Sequence, residues 1–237
     1  MRNLKKFDTV AAYNAAESGL ILPNVSLITE THSVAYKPSS PITHDYVEID
    51  GIKWATMNIG AESITDTGLY FQWGDTQGYT AAQVGTDKNF TWDDYKFNPS
   101  GDGSTMTKYN STDGKIVLDL SDDAVNAAWG GGWRMPTTEE FQTLGNAVDT
   151  AFTQVNGVYG LQCTDKNDSS KVLFFPACGV AVSDSVDDVG NGGFYWSKSR
   201  VSNYQLGYEL NFGDGYVIWD FDMPRFYGYV VRGVLDE

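Results

Sequence analysis

At 237 residues, 41% of them hydrophobic, the chain is long enough for one large domain, or a domain with an appendage, around a real core. A formal net charge of −15 excludes the basic face that nucleic acid or an anionic membrane surface demands. Two histidines exclude a His-rich metal centre, and two cysteines, Cys163 and Cys178, match no zinc set or redox motif and fit free thiols better than a bridge.

Leu4, Phe7, Val10, Ala11 and Ala15 stand at helical spacing, which predicts a helix over 4–18 closed by Gly19. Apolar runs at 25–28 and 33–36 predict strands, and the Lys-Pro-Ser-Ser-Pro run at 37–41 predicts a linker. Residues 1–40 are too few to bury a core alone. They are expected to dock on the main domain or a virion partner, or to drive homo-oligomerisation. Asp8 and Thr9 interrupt the basic start before any apolar stretch, so no signal peptide is expected, nor is membrane insertion.

A main domain is expected over 44–237. Asp50-Gly51 between two apolar runs predicts a hairpin, and residues 68–74 read as a buried aromatic strand. Residues 75–115 are polar and Gly-rich, with Asp93, Asp94, Asp102 and Asp113 as the oxygen donors available to a Ca²⁺ ion, which needs six to eight. Two helices are expected, one opening at Ser121 with an acidic first turn, the other N-capped by Thr137 in a capping box with Glu140. Strands are predicted at 158–162, 173–175, 193–197, 205–212, 216–219 and 229–234, with a tight turn through 212–216. The predicted class is α+β, with short antiparallel sheets and long loops.

Residues 193–237 hold more than a third of the chain's aromatics, interspersed with Asn, Asp, Ser and Gly. Tyr beside small adaptable polar residues is the chemistry of a paratope, because it gives large contact area at low entropic cost. The alternative is that these rings fill a small β-rich core.

Six strings occur in series: WATMNIG at 54–60, GLYFQWG at 68–74, WGGGWRMP at 129–136, FFPA at 174–177, FYWS at 194–197 and GYVVRGV at 228–234. Together they resemble the lectin-like paralogous surface-protein domains of C-type lectin fold, over about residues 44–237. That fold is shared with formylglycine-generating enzymes and with the variable proteins of diversity-generating retroelements, which include phage tropism determinants. The C-terminus looks most like the retroelement subgroup. The resemblance implies that residues of about 193–237 are diversified at template adenines, mostly in asparagine codons that can become Tyr, Asp, Ser, Phe, Ile, Val, Pro or His but not Trp, Met, Gln, Glu or Lys. The expected ligand-binding set is then Tyr204, Asp214, Tyr216, Ile218, Asp220, Phe221, Asp222, Pro224, Phe226 and Tyr227, with 221–227 as an outward loop. Strand parity sets Tyr216, Ile218 and Asp220 against Val217 and Trp219, and Tyr208 is assigned to the core with Leu206, Leu210 and Phe212. Trp54, Trp73, Trp129, Trp133 and Trp196 fall in scaffold strings and are expected to be buried. Arg232 is expected to form a buried pair.

Residues 5–28 resemble the start of phage structural proteins. The implied function is recognition of a protein or glycan on a bacterial surface by a molecule made in the bacterial cytoplasm and displayed on a virion or other extracellular surface. The sugar-lectin tripeptides EPN and QPD are missing, and the last fifty residues contain no cysteine for formylglycine chemistry. No enzymatic activity and no cofactor is expected. A structural or adhesin subunit is the alternative, and a hydrolase or oxidase on the same fold is a third reading.

Overall fold

Two of the early apolar runs form short strands, β1 (Val25–Leu27) and β2 (Val34–Tyr36), which pair antiparallel with Ser26 opposite Ala35. The structure is a computed structural model and describes residues 25–27, 34–36 and 44–236. The chain divides into two units, 1–43 and 44–237. The helix predicted over 4–18 and the linker over 37–41 lie outside the described residues.

In the second unit Asp50 and Gly51 both take positive φ, 48° and 77°, the type I′ geometry that matches strand twist. They join β3 (Tyr46–Ile49) to β4 (Ile52–Asn58). Residues 68–74 do not form the predicted strand. Tyr70 and Phe71 make only single bridges, to Tyr79 and Tyr229, yet both are buried, as are Gln72 and Trp73. The segment is held by backbone hydrogen bonds to four separate stretches, from Leu69, Tyr70, Phe71 and Trp73 N–H to the carbonyls of Ile59, Tyr79, Tyr229 and Arg225, and by indoles: Trp196 donates to the Phe71 carbonyl and Trp73 to the Ser197 carbonyl, each at 2.9 Å.

The first helix, α1 (Ala124–Trp129), begins later than predicted. The reason is Asp123, fully buried, whose carboxylate accepts from the backbone N–H groups of Val125, Asn126 and Met135. Ser121 and Asp122 lie in a preceding 3₁₀ turn, and Asp122 pairs with Lys96 and Lys108. A short strand β5 (Trp133–Arg134) leads to α2 (Thr138–Ala147). The Thr137–Glu140 capping box closes as predicted, and such a cap contributes about 1 kcal/mol. Arg134 pairs with Glu140 at 2.7 Å.

Then come β6 (Val148–Val155), β7 (Val158–Asp165) and β8 (Val172–Pro176), a sheet in that order, with Asn156 and Gly157 forming a second positive-φ turn. β6 is not predicted by the sequence because only Val148 of its eight residues is buried and it lacks a one-sided apolar alternation. β9 (Val180–Val182) pairs with β10 (Ser185–Asp187). β11 (Gly192–Arg200), β12 (Leu206–Gly213) and β13 (Tyr216–Pro224) form a three-stranded sheet with β12 central. β14 (Arg232–Leu235) returns to lie between β4 and β5. All named strand pairs are antiparallel, and no sheet closes into a barrel among the described residues. The class is α+β.

Alternating residues of β11 feed two cores. Tyr195 joins Trp54, Phe141, Phe175, Leu210 and Phe212, whereas Trp196 joins Trp73, Tyr109, Trp133, Tyr229 and Val231. Trp54, Trp73, Trp133 and Trp196 are buried. Trp129 is not: it is half-buried and stacks on His44 at 3.7 Å. Arg232 is buried, but its partners are carbonyl oxygens rather than an acid. Its guanidinium donates to Asn58 Oδ1 at 2.9 Å and to the backbone oxygens of Ala55 and Phe174 at 2.9 and 3.0 Å.

Candidate functional site

The predicted turn at 212–216 is a two-residue connection, with Gly213 paired to Tyr216 and Gly215 at φ +85°. From there β13 runs back along β12 as the edge strand of its sheet. Residues directly opposed in an antiparallel pair share a face. Val217 therefore lies with Phe212 on the side of the first core, and Ile218 lies with Asn211 on the other. The register then slips: Glu209 faces Phe221 and Asn211 faces Ile218, so one residue of β12 meets two of β13. This bulge resets parity. Tyr216, Ile218 and Phe221, at 46%, 37% and 38% exposed, come to lie on one face of the sheet.

The bulge also corrects the expected placement of Asp220. Its carboxylate accepts from Gln142 Nε2 of α2 at 3.0 Å, which turns it away from Tyr216 and Ile218. Residues 221–224 are strand rather than loop, with Asp222 opposite Tyr208 and Pro224 opposite Leu206, both half-buried. Tyr208 is itself only half-buried. Asp214 is exposed at the turn. Phe226 and Tyr227 follow a fully buried Arg225 and are half-buried against the second core, Phe226 lying between Trp92 and Tyr227 at 4.9 and 4.6 Å. Tyr204 packs on that core as well, its hydroxyl donating to the Ser104 carbonyl at 3.3 Å. The ten candidates thus separate into an exposed trio with Asp214 beside it, an Asp220 tied to α2, and a half-buried group.

The sequence reading missed what lies under the trio. Phe194, Tyr229, Tyr227 and Phe226 form a ladder of stacked rings with centroid spacings of 5.4, 5.9 and 4.6 Å. Beside it Glu209, fully buried, takes a hydrogen bond on Oε1 from Asn211 Nδ2 at 3.1 Å. Glu209 Oε2 and Asn211 Oδ1 are buried and have no partner among the described residues. Burial pushes the Glu209 carboxyl well above the ordinary carboxylate range, opposed by the Asn211 amide and the nearby Tyr229 phenol and assisted by Asp222. Glu209 and Asn211 alternate with Leu210 and Phe212, so the sequence pattern reads them as a solvated face. Only the second core, arriving from residues far along the chain, covers them.

Two shallow depressions flank β13 along its exposed edge. One of about 440 Å³ is lined by Thr150, Phe152, Tyr216 and Trp219, the other, about 430 Å³, by Gln142, Asn146, Ile218 and Asp220. No family model, curated protein or solved structure matches this chain.

Asp102 and Asp113 cap local turns, accepting from Ser104 and from Tyr109, Asn110 and Lys115 backbone N–H groups. Among the described residues no group of three His, Cys, Asp or Glu side chains converges on a metal position. Cys163 and Cys178 are free and buried, and burial pushes their thiols up to about 12 and about 11. At neutral pH a thiol of that kind is not a nucleophile. Among the described residues no helix is long and apolar enough to cross a membrane.

Proposed function

We propose that residues 44–237 are a ligand-binding module of C-type lectin fold, a variable protein of the diversity-generating retroelement class. It presents Tyr216, Ile218 and Phe221 to a protein or glycan on a bacterial surface, with display on a phage virion. One observation carries the reading. Three large apolar side chains stand exposed together on one face of β13, while Val217 and Trp219 of the same strand pack on the first core. Exposed apolar residues grouped on rigid backbone mark interaction sites, and large aromatics dominate the energy of such interfaces. The six motif strings support the fold, since four of their tryptophans are buried. Within the expected set the exposed trio and Asp214 are the first positions to test, because Tyr204, Phe226 and Tyr227 are half-buried against the second core and Asp220 is engaged by Gln142.

The test is a Tyr216→Ala/Phe221→Ala double variant, checked for an unchanged melting temperature and near-ultraviolet dichroism, in a pull-down with cells of the host bacterium. Each hot-spot truncation costs about 2 kcal/mol or more, so capture by the double variant should fall on the order of a thousandfold. Unaltered capture by a folded variant refutes the site. Diversification is tested separately by sequencing the flanking DNA for a near-copy of the segment encoding 193–237, beside a reverse transcriptase gene and differing only at adenines.

A further inference from the structure

Glu209 and Asn211 are two apart on β12, so both project to the face that carries Phe221 and Ile218. Both are buried, and Glu209 Oε2 and Asn211 Oδ1 have no partner at full hydrogen-bond geometry among the described residues, although the Tyr229 phenol lies near enough to act on the carboxyl as a donor. Native folds satisfy most buried polar atoms, so two unmet atoms on neighbouring side chains call for an explanation. Asn211 Oδ1 only accepts hydrogen bonds, and Glu209 Oε2 accepts once its carboxyl is ionised. The groups acting on the Glu209 carboxyl are the Asn211 amide, the Tyr229 phenol and the Asp222 carboxylate, and none of them is cationic. Tyr216 also lies within the field of Glu209. Phe221 stands directly opposite Glu209 on the edge strand and is exposed, so it is the surface residue of β13 paired with the buried acid. The half-buried rings of Phe194 and Tyr227 lie on either side of Tyr229 in the ladder.

We propose that Glu209 and Asn211 form a recessed subsite for a cationic hydrogen-bond donor, the guanidinium or ammonium group of a basic side chain on a protein target. The proposal rests on the reading of this face as the binding surface and names what it selects. A guanidinium offers five N–H donors in one plane, enough for Glu209 Oε2 and Asn211 Oδ1 together. Its face also stacks on aromatic rings, which the ladder supplies. The arriving cation favours the ionised carboxyl, so the Glu209 proton leaves to solvent as the cation binds. Affinity therefore rises with pH until the carboxyl is ionised before binding. The other titratable groups acting on the carboxyl are Tyr216 from β13 and Tyr229 from the segment before β14, with Asp222 of β13, opposite Tyr208, contributing through its field.

The experiment titrates the ¹³C-labelled protein with N-acetyl-arginine amide and follows the Glu209 carboxyl resonance, assigned from the Glu209→Gln spectrum. The same titration is run with N-acetyl-citrulline amide and with a methyl glucoside. A saturable shift with the arginine probe alone, tighter at pH 8 than at pH 5, is expected. Glu209→Gln should weaken binding on the order of tenfold, as loss of a charged hydrogen bond does, and should abolish the pH dependence. Asn211→Leu, which keeps the carboxyl and fills the amide's volume, should weaken it as well, with signal dispersion confirming the fold of both variants. No saturable shift, equal affinity in Glu209→Gln, or a shift caused by the glucoside while the arginine probe is silent overturns the subsite. Each leaves the cell-capture result for Tyr216 and Phe221 standing, so the two failures are told apart.

Discussion

Gly145 sits inside α2, where replacing glycine by alanine ordinarily stabilises by about 1 kcal/mol through helix propensity. Here a Cβ would stand 2.5 Å from the Trp219 indole, about 1 Å inside normal contact. Trp219 packs on the first core from β13, so the clash can be relieved only by moving the ring or the strand. Overpacking of this kind costs about 1–3 kcal/mol, which exceeds the propensity gain. Gly145→Ala should therefore destabilise by about 1 kcal/mol net, lowering the melting temperature by about 2–4 °C for a domain of this size. In a Trp219→Ala background the clash is gone and the same change should stabilise by about 1 kcal/mol, so the double-mutant cycle should show a coupling of about 2 kcal/mol. Urea unfolding of the four proteins measures it. A Gly145→Ala variant that gains stability in the native background, with unchanged tryptophan emission, refutes the account of how β13 is seated.

The buried Glu209 predicts a pH dependence of stability whose sign follows from its raised folded-state pKa. Between the unfolded value, near 4.5, and the higher folded value the folded state holds a proton that the unfolded state has lost. Stability contributed by Glu209 is thus full below about pH 4.5 and falls by about 1.4 kcal/mol per unit as pH rises through that window. Glu209→Gln should remove this component. His44, whose lowered pKa acts in the opposite sense, and Asp123, raised like Glu209, titrate in both proteins and cancel in the difference. Equal slopes from pH 4.5 to 7 in urea unfolding would refute it. Substitution along β13 should be tolerated unevenly: changes at Tyr216, Ile218 and Phe221 should stay within about 0.5 kcal/mol, whereas Val217→Ala or Trp219→Ala should cost about 1–3 kcal/mol. Thermal unfolding of the single variants checks this, and equal costs on the two faces refute it.

Local chemistry made some of the fold legible in sequence. Asp50-Gly51 demanded a positive-φ turn, and Thr137 with Glu140 reads as a helix start wherever it occurs. The losses came where a distant partner decides. Asp123 captured the start of α1 because its carboxylate also holds the Met135 N–H, twelve residues on. Residues 68–74 read as a strand because they are apolar, but their N–H groups reach carbonyls of four separate stretches, at Ile59, Tyr79, Tyr229 and Arg225, and the Trp196 indole caps the Phe71 carbonyl, so no continuous ladder with one partner strand forms. The sequence names no partner for the buried pair expected of Arg232, and its partners are three carbonyl oxygens brought by Asn58, Ala55 and Phe174.

The bulge in β13 is the clearest instance at the candidate site. Simple alternation from Tyr216 reaches Ile218 and Asp220, and it would put Phe221 on the core side. Insertion of one residue opposite Leu210 sends Asp220 toward Gln142 and turns Phe221 outward, across from Glu209. No residue in 216–221 signals that slip, because it is set by pairing with β12 while Trp219 is held against α2. The same slip brings a large exposed ring to the lip of a buried acid. Surface aromatics alone would make an adaptable, weakly selective patch. On the proposed reading, an acid and an amide behind one of those rings would reward a partner that brings donors, because it would satisfy oxygens left unmet in the free protein. Variation at positions 216, 218 and 221 would then change which surfaces fit, while Glu209 and Asn211 would hold constant the demand for a cationic donor.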